Sequence, residues 1–423
     1  DLMKHAAPAN QTPFGRINDP ALTRRGIWVR PHPLTDPEVT HYNCLILLPT
    51  ADERSSVYTT LNKLRRNPLS RQWILYLDSP MDLGELINRM QENAISPAAQ
   101  ADAAGRCPYC AGTARQPYSV IADLNDHQFT YNPSMEHTWH VRTVPHYDPL
   151  FRIEGQLLRR GDRLYDIMEA HGAHELILLH SDHSKRFPLL DSTEITRVLV
   201  MLRKRFIDLS QDPHLGHLTF FINDALSSSA HLSHPHGQIL STPFVPQKTQ
   251  SELRGANEWY RHKERCLFCD ILNDELELQA AGRRSQIIAQ NRNFITMVPF
   301  FGAVPFETWI IPRDHASDFK YISDDQLPAL ADMLYLTMRK MQTALGEVPF
   351  TLTLMTQPNK SWGIKRGYWL NIEYDWHWRF LLTPRPPLMT DLFREFFLGT
   401  GSRVNPVLPE QAAALLRGEN VGV

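Results

Sequence analysis

The 423-residue chain lacks an excess of charge of either sign: 44 Lys and Arg stand against 46 Asp and Glu, a formal net charge of −2. A chain-wide basic footprint for nucleic acid is therefore excluded, and no nucleic-acid partner is expected. Long apolar runs are missing too. A stretch such as Cys44–Leu48 falls far short of the roughly 18–20 residues a membrane-spanning helix needs, so no membrane partner is expected. No charged segment followed by an apolar one opens the sequence, so no secretion signal is expected and the expected compartment is the cytoplasm. Composition is otherwise ordinary for a globular protein, 42% apolar and 21% charged, which argues against disorder.

Cysteine is also scarce, five in all, but four of the five form two pairs, Cys107-Pro-Tyr-Cys110 and Cys266-Leu-Phe-Cys269, leaving Cys44 alone. In a chain without a secretion signal such pairs read as metal sites before they read as disulfides. Nineteen histidines supply co-ligands.

An internal repeat organises these residues. The run His174-Glu175-Leu-Ile-Leu-Leu-His-Ser-Asp-His183 matches Phe306-Glu307-Thr-Trp-Ile-Ile-Pro-Arg-Asp-His315: a glutamate, a short β-type apolar run, then Asp-His. At one constant offset, each histidine is followed by a helix start, Asp191 or Ser323, with a capping-box partner three residues on, Glu194 or Gln326. Ile195, Val198, Leu199, Leu202 and Phe206 then match Leu327, Leu330, Ala331, Leu334 and Met338, the spacing of an amphipathic helix, and Gly346 is placed to end the second helix. Strands are expected over His217–Asn223 and Phe350–Met355, and again over His234–Leu240 and Trp376–Thr383. The order CxxC, strand, Asp-His, helix, strand, His thus occurs twice. We expect an α+β fold of two pseudo-symmetric halves, 61–250 and 251–423, with mainly antiparallel sheet, preceded by an extension over 1–60.

Four nitrogen and sulfur donors make a tetrahedral zinc site. The repeat offers two such sets: Cys107, Cys110, His183 and His234, and Cys266, Cys269, His315 and His377. Two structural zinc ions per chain are expected. Iron suits the same donors, and reduced core thiols or a redox pair are the alternatives without a metal.

His234-Pro-His236-Gly-Gln238 is chemically the sharpest stretch. Proline favours an extended chain around it, and in an extended chain residues two apart share a face. A metal on His234 would hold the strand while His236 is aimed as a nucleophile. Gly237 would let a phosphate approach the backbone, and Gln238 would donate its amide to developing phosphoryl charge. In the second copy the matching run is His377-Trp378-Arg379, in which the guanidinium suits phosphate recognition but not attack. Asn223 and the loop Ser227-Ser228-Ser229-Ala230-His231 lead into the His-Pro-His segment. They read as a phosphate cradle or as a plain flexible loop. Lys185 reads as a surface charge.

These residues together resemble the galactose-1-phosphate uridylyltransferases and their relatives in the histidine triad superfamily. The resemblance runs from about Arg65 to Arg417 through Arg66-Asn-Pro-Leu-Ser-Arg-Gln-Trp73, both CxxC pairs, Asp182-His183-Ser-Lys185, His234-Pro-His-Gly-Gln238, Pro305–His315 and Gly399-Thr-Gly…Asn405-Pro. It implies a histidine-triad-like fold and a nucleotidyltransferase in which His236 attacks the α-phosphorus of a nucleotide or nucleotide-sugar donor and carries a covalent nucleotidyl group. A sugar 1-phosphate or similar phosphorylated small molecule would then accept it, with Gln238 stabilising the transferring group and Asn223 and Ser229 nearby. It further implies a homodimer. The two-metal pattern is closer to the branch that includes ADP-glucose phosphorylase, while His-Pro-His-Gly-Gln is closer to the hexose-1-phosphate uridylyltransferases. The alternatives are a phosphorylase of nucleoside-diphosphate sugars or dinucleoside polyphosphates, and a non-catalytic nucleotide-binding protein stabilised by zinc. This chain departs from the family pattern in four places. Ser229 and His231 stand where Gly and Ser are usual, Asp78-Ser-Pro-Met81 replaces a Pro-His-Arg stretch, His146 replaces an asparagine of the sugar-nucleotide loop, and Arg379 replaces a second histidine. These substitutions touch substrate recognition, with His231 and His146 expected beside the bound phosphates and sugar.

Overall fold

A computed structural model describes residues 63–77, 83–91, 107, 109–110, 119–126, 128–134, 137–224, 234–362, 369–385 and 391–420, all within one compact unit, Thr60–Val423. Readings that concern the extension, Cys44, Asp78–Met81, and the loop with Ser227, Ser229 and His231 lie outside the described residues.

In chain order the strands are β1 (Lys63–Arg66), β2 (Trp73–Tyr76), β3 (Ala122–Asn125), β4 (Gln128–Tyr131), β5 (Val141–Pro145), β6 (Arg159–Asp162), β7 (Tyr165–Met168), β8 (Ala173–Leu178), β9 (His217–Asp224), β10 (His236–Thr242), β11 (Ile287–Gln290), β12 (Phe294–Met297), β13 (Thr308–Pro312), β14 (Phe350–Met355), β15 (Arg379–Pro384) and β16 (Arg403–Asn405). The helices are α1 (Leu83–Gln91), α2 (Ser192–Leu209), α3 (Gln247–Lys263), α4 (Leu267–Ala280), α5 (Gln326–Leu345), α6 (Ile372–Asp375), α7 (Asp391–Thr400) and α8 (Pro409–Arg417). Among the described residues no helix is long and apolar enough to cross a membrane.

Eleven strands form one antiparallel sheet in the order β11-β12-β13-β15-β14-β9-β10-β8-β5-β3-β4. Its centre is the β9–β14 pair, with Phe220 opposite Leu354, Phe221 opposite Thr353 and Ile222 opposite Leu352. The offset that carries Asp182-His183 onto Asp314-His315 also carries Phe220 onto Leu352 and Ile222 onto Leu354. The seam is therefore two-fold about Phe221 and Thr353, and β10, β8 and β5 on one side answer β15, β13 and β12 on the other. A smaller sheet, β1-β2-β16, and the β6–β7 hairpin complete the described strands.

The two long helices pack side by side on one face of the sheet, over a core that includes Ile177, Phe220, Ile239, Ile310, Leu352, Leu354 and Phe380. Asp191 caps α2 through a full capping box: its carboxylate accepts from Glu194 N at 2.8 Å and the Glu194 carboxylate accepts from Asp191 N at 2.8 Å. In the second copy the α-helix begins at Gln326, two residues later than the match to Asp191 suggests. Gln326 still reaches back to the Ser323 N–H at 3.3 Å, and the residues between form a turn. Gly346 ends α5 with φ 73°. The last expected strand of each copy starts later than the sequence suggests. His234 and His377 precede β10 and β15, because their side chains are drawn into the cysteine clusters described next.

The opposite face of the sheet differs between halves. Under the second half, α3 and α4 cover Trp309, Ile311, Met355 and Leu381. Under the first half, among the described residues, a small cluster lies there, Cys107, Tyr109, Val144, Leu176 and Leu178.

Candidate active site and metal centres

Both predicted ligand sets come together. One donor atom from each of Cys107, Cys110, His183 and His234 lies within 4.8 Å of the others, and the same holds for Cys266, Cys269, His315 and His377. In the first set Cys110 Sγ is 3.3 Å from His183 Nδ1 and 3.6 Å from His234 Nδ1, and Cys107 Sγ is 3.6 Å from His234 Nδ1. In the second, Cys269 Sγ is 3.4 Å from His315 Nδ1 and 3.7 Å from His377 Nδ1. A tetrahedral ion bound at about 2.3 Å from sulfur and 2.0–2.1 Å from nitrogen has sulfur–nitrogen edges of roughly 3.5 Å. The donors therefore fit a metal of the zinc class. The outer ring nitrogens agree: His234 Nε2 donates to His180 O and His315 Nε2 to Glu373 O, both at 2.8 Å. Those bonds fix the tautomer that leaves Nδ1 free to ligate. Burial pushes His234 down to about 4, so its ring is neutral, as a ligand must be.

The Asp182-His183 turn is tied to the start of α2. Asp182 accepts from Ser184 N at 2.9 Å, and Asp182 N donates to His180 Nδ1 at 2.9 Å. Glu194, the capping residue of α2, also accepts from Lys185 Nζ at 2.9 Å.

At the start of β10 a directional chain of hydrogen bonds sets the state of His236. Its Nδ1–H donates to His234 O at 2.7 Å, so Nε2 carries the lone pair. Gln238 Nε2 donates toward that lone pair at 3.3 Å. The amide is oriented from behind: Gln238 Oε1 accepts from His174 Nε2 at 3.0 Å, while His174 Nδ1 accepts from Leu150 N at 3.2 Å. Burial lowers His236 below the ordinary imidazole value, and His174 lowers it further against the opposing pull of the His234 carbonyl. The ring is a neutral base at neutral pH. His174 appeared in the sequence only as part of the repeat. Its link to Gln238 depends on β8–β10 register, which pairs it with Leu240 and sets it diagonal to Gln238.

His146 joins the same region. Its ring stacks on His174 with centroids 4.0 Å apart and on Tyr147 at 4.9 Å. Burial, with the neighbouring His174, lowers His146 to about 4. Asn223 follows Ile222, the β9 partner of Gly237, and is exposed. The Arg385 guanidinium, from the end of β15, donates to Asn223 Oδ1. Sequence reasoning did not pick out Arg385, because only the β9–β14–β15 pairing brings it across the seam.

Two expectations change. Arg379 is only 1% exposed and its Nη2 donates to Glu252 Oε2 at 2.6 Å. Its guanidinium carbon lies 4.9, 4.5 and 5.7 Å from the ring centres of Phe268, Trp309 and Trp376. The residue expected to recognise phosphate is instead enclosed in an aromatic box and neutralised by a carboxylate from α3. Gly237 is already required by packing. A Cβ there would meet Phe220 ring atoms at 2.4 and 2.7 Å, on the face opposite His236.

Comparisons with known proteins agree with this architecture. Residues 54–246 match the family described as galactose-1-phosphate uridyl transferase, N-terminal domain. The chain is 24% identical to ADP-glucose phosphorylase of Arabidopsis thaliana over 364 residues, covering 86% of this chain and 94% of that protein. It is 24% identical to galactose-1-phosphate uridylyltransferase of Thermotoga maritima over 367 residues, 85% of this chain and 99% of the relative. Among solved structures, the Arabidopsis ADP-glucose phosphorylase with bound ADP-glucose superposes with a TM-score of 0.64 at 22% identity, covering 85% of this chain and all of that one. A uridylyltransferase structure does so with a TM-score of 0.59 at 22% identity, covering 85% and 98%. The motifs, the antiparallel sheet and these matches together make the chain similar to the galactose-1-phosphate uridylyltransferases, with residues 54–246 matching that family's N-terminal domain.

Proposed function

We propose that this protein is a nucleotidyltransferase that passes a nucleoside monophosphate from a nucleotide or nucleotide-sugar donor to a phosphorylated small molecule through a covalent bond to His236. The observation that carries this reading is the 2.7 Å bond from His236 Nδ1 to the His234 carbonyl, which leaves Nε2 as an unprotonated nucleophile. Relatives across most of the chain are enzymes named for nucleotidyl transfer or for phosphorolysis of a nucleotide sugar, which supports the class.

In the first half-reaction Nε2 attacks the α-phosphorus in line. The N–P bond forms as the P–O bond to the leaving phosphate breaks, and the leaving group departs with that electron pair. Positive charge that develops on the imidazole is held by the Nδ1–H bond to the carbonyl. Gln238, oriented by His174, donates to a non-bridging oxygen as charge builds there. In the second half-reaction an acceptor phosphate oxygen attacks the same phosphorus and His236 leaves as neutral imidazole. Arg385 beside Asn223 is positioned to take the phosphate-binding part first assigned to Arg379, and His146, stacked on His174, lines the donor site. Two zinc ions held by the Cys2His2 sets would be structural, the first of them fixing the backbone two residues from the nucleophile. The halves 61–250 and 251–423 would then be one catalytic and one supporting copy.

The acceptor divides two readings: a sugar 1-phosphate makes the protein a transferase, inorganic phosphate makes it a phosphorylase. The match to ADP-glucose phosphorylase over 94% of that protein favours testing both. Incubation with UDP-, ADP- and GDP-sugars labelled in the α-phosphate should label the chain covalently, and His236→Asn should abolish the label. Release by sugar 1-phosphate supports the transferase and release by phosphate alone the phosphorylase. No label with any donor overturns the proposal and leaves a binding protein.

A further inference from the structure

We propose that His171, Asp212 and His214 form a third metal site, open to solvent and free of sulfur, for a first-row divalent transition-metal ion. One donor atom from each of the three lies within 4.8 Å of the others. His171 is 8% exposed, and among the described residues neither of its ring nitrogens has a hydrogen-bond partner. Buried polar groups ordinarily find one, so an imidazole with both nitrogens idle calls for a ligand. Its Nε2 points to Asp212 Oδ2 at 4.0 Å, too far for a hydrogen bond and wide enough for an ion between them.

The three side chains are held in place before any ion binds. Pro213 lies between the two loop residues and restricts the backbone there. Asp212 Oδ1 accepts from His214 N at 2.8 Å and lies 2.9 Å from His214 Nδ1, and Asn359 Nδ2 donates to Asp212 O at 3.1 Å. On the other side, His171 N donates to Glu169 O at 2.8 Å and Gly172 N to Arg152 O at 2.9 Å. A Cβ on Gly172 would fall 2.1 Å from Ser241 O, so the backbone beside His171 lies hard against β10. The His171 and His214 rings meet edge-on at 78° with centroids 5.6 Å apart.

The donor chemistry narrows the ion. Two imidazoles and one carboxylate suit zinc, cobalt or nickel, whereas calcium and magnesium take oxygen sets. Three protein ligands leave coordination positions for water, and His214 at 58% exposed faces solvent. The site is remote from the nucleophile. His236 pairs with Leu178 at one end of β8 while His171 precedes its other end, roughly 20 Å away at about 3.3 Å per residue. An ion here would join the α2–β9 connection to the base of the segment that carries the β6–β7 hairpin.

The test uses the full chain as purified, dialysed and titrated with cobalt alone, with wild type compared against His214→Ala and Asp212→Asn. His214 is exposed, so its loss leaves folding intact and keeps the comparison decisive. Wild type should take up one more cobalt per chain than either variant. That ion should lack the sulfur-to-cobalt charge-transfer absorption of thiolate sites and should slow hydrogen exchange at Ala170–Gly172 and Asp212–Leu215. The difference between chains is independent of what the cysteine clusters hold. Equal uptake by all three proteins, or an additional ion that disappears in Cys110→Ser and persists in His214→Ala, would overturn the site.

Discussion

At the start of β10 and at the start of β15 the chain builds the same thing twice. In each, a histidine joins two cysteines and an Asp-His histidine, and the strand that follows runs next to the central seam. Two residues on, the copies part. In the first, His236 stands half-buried with its Nε2 lone pair facing the Gln238 amide. In the second, Arg379 is shut between Phe268, Trp309 and Trp376 and paired with Glu252. The difference lies in what covers the sheet. α3 and α4 pack over the second half, and α3 brings Glu252, while among the described residues the first half carries the small Cys107 cluster. The scaffold recurs in both copies, and the role proposed for His236 has no counterpart at Arg379.

The largest effect that would break this contrast is on the nucleophile. His236→Asn should reduce nucleotidyl transfer by at least about 10³-fold, because the covalent route is lost. Arg379→His should gain no label, and a second labelled site there would show the two strand starts to be equivalent. Next comes the enclosed cation. Arg379→Met leaves the Glu252 carboxylate buried and unpaired and should cost about 3–5 kcal/mol in urea unfolding, while Arg379→Met with Glu252→Gln should recover most of it. The folded fraction of either variant should label at the wild-type rate, and a slower rate would return Arg379 to the substrate site.

The tethers give a smaller and more selective difference. Cys110→Ser and Cys269→Ser should each lose one metal per chain by plasma emission. Only Cys110→Ser should slow labelling, by about 10–100-fold, since His234 would hold the ion while its carbonyl accepts the His236 Nδ1–H. Equal slowing in both would mean that the clusters act on stability alone. Gly237→Ala should cost about 1–3 kcal/mol through the Phe220 contact, and Phe220→Leu should relieve it. The second copy has Phe380 in the matching place, next to Leu354, so bulk and space are exchanged across the seam. The smallest effect is on pH. Because His236 is lowered from 6.5, its neutral form persists as pH falls through that value. The labelling rate should therefore reach half its maximum at a pH below 6.5 as the pH falls from 8. A midpoint above 6.5 would mean a protonated, inactive resting ring.

Much of the scaffold was legible because its signals are local. Asp191 and Glu194 are three residues apart, the apolar stripe of α2 repeats along one helix, and each CxxC pair fits one turn. The two ligand sets could be named because the repeat gives each histidine a partner in the other copy. The duty of Arg379 was not legible. Its carboxylate lies 127 residues away on a helix whose docking face carries no motif. Nor was that of Gly237, whose constraint is a ring on the neighbouring strand, nor the roles of His174 and Arg385, which rest on strand register.

By itself the sequence determined the duplicated strand–helix units, the donors of both candidate metal centres and the imidazole proposed here as nucleophile, because these depend on residue chemistry and on spacing within a few turns or strands. Only the tertiary structure decided which half α3 and α4 cover, which cation is enclosed, and which tautomer His236 holds. Those outcomes come from burial and from contacts between distant segments, where exclusion of water and one carbonyl or carboxylate within hydrogen-bond reach set the state of the group.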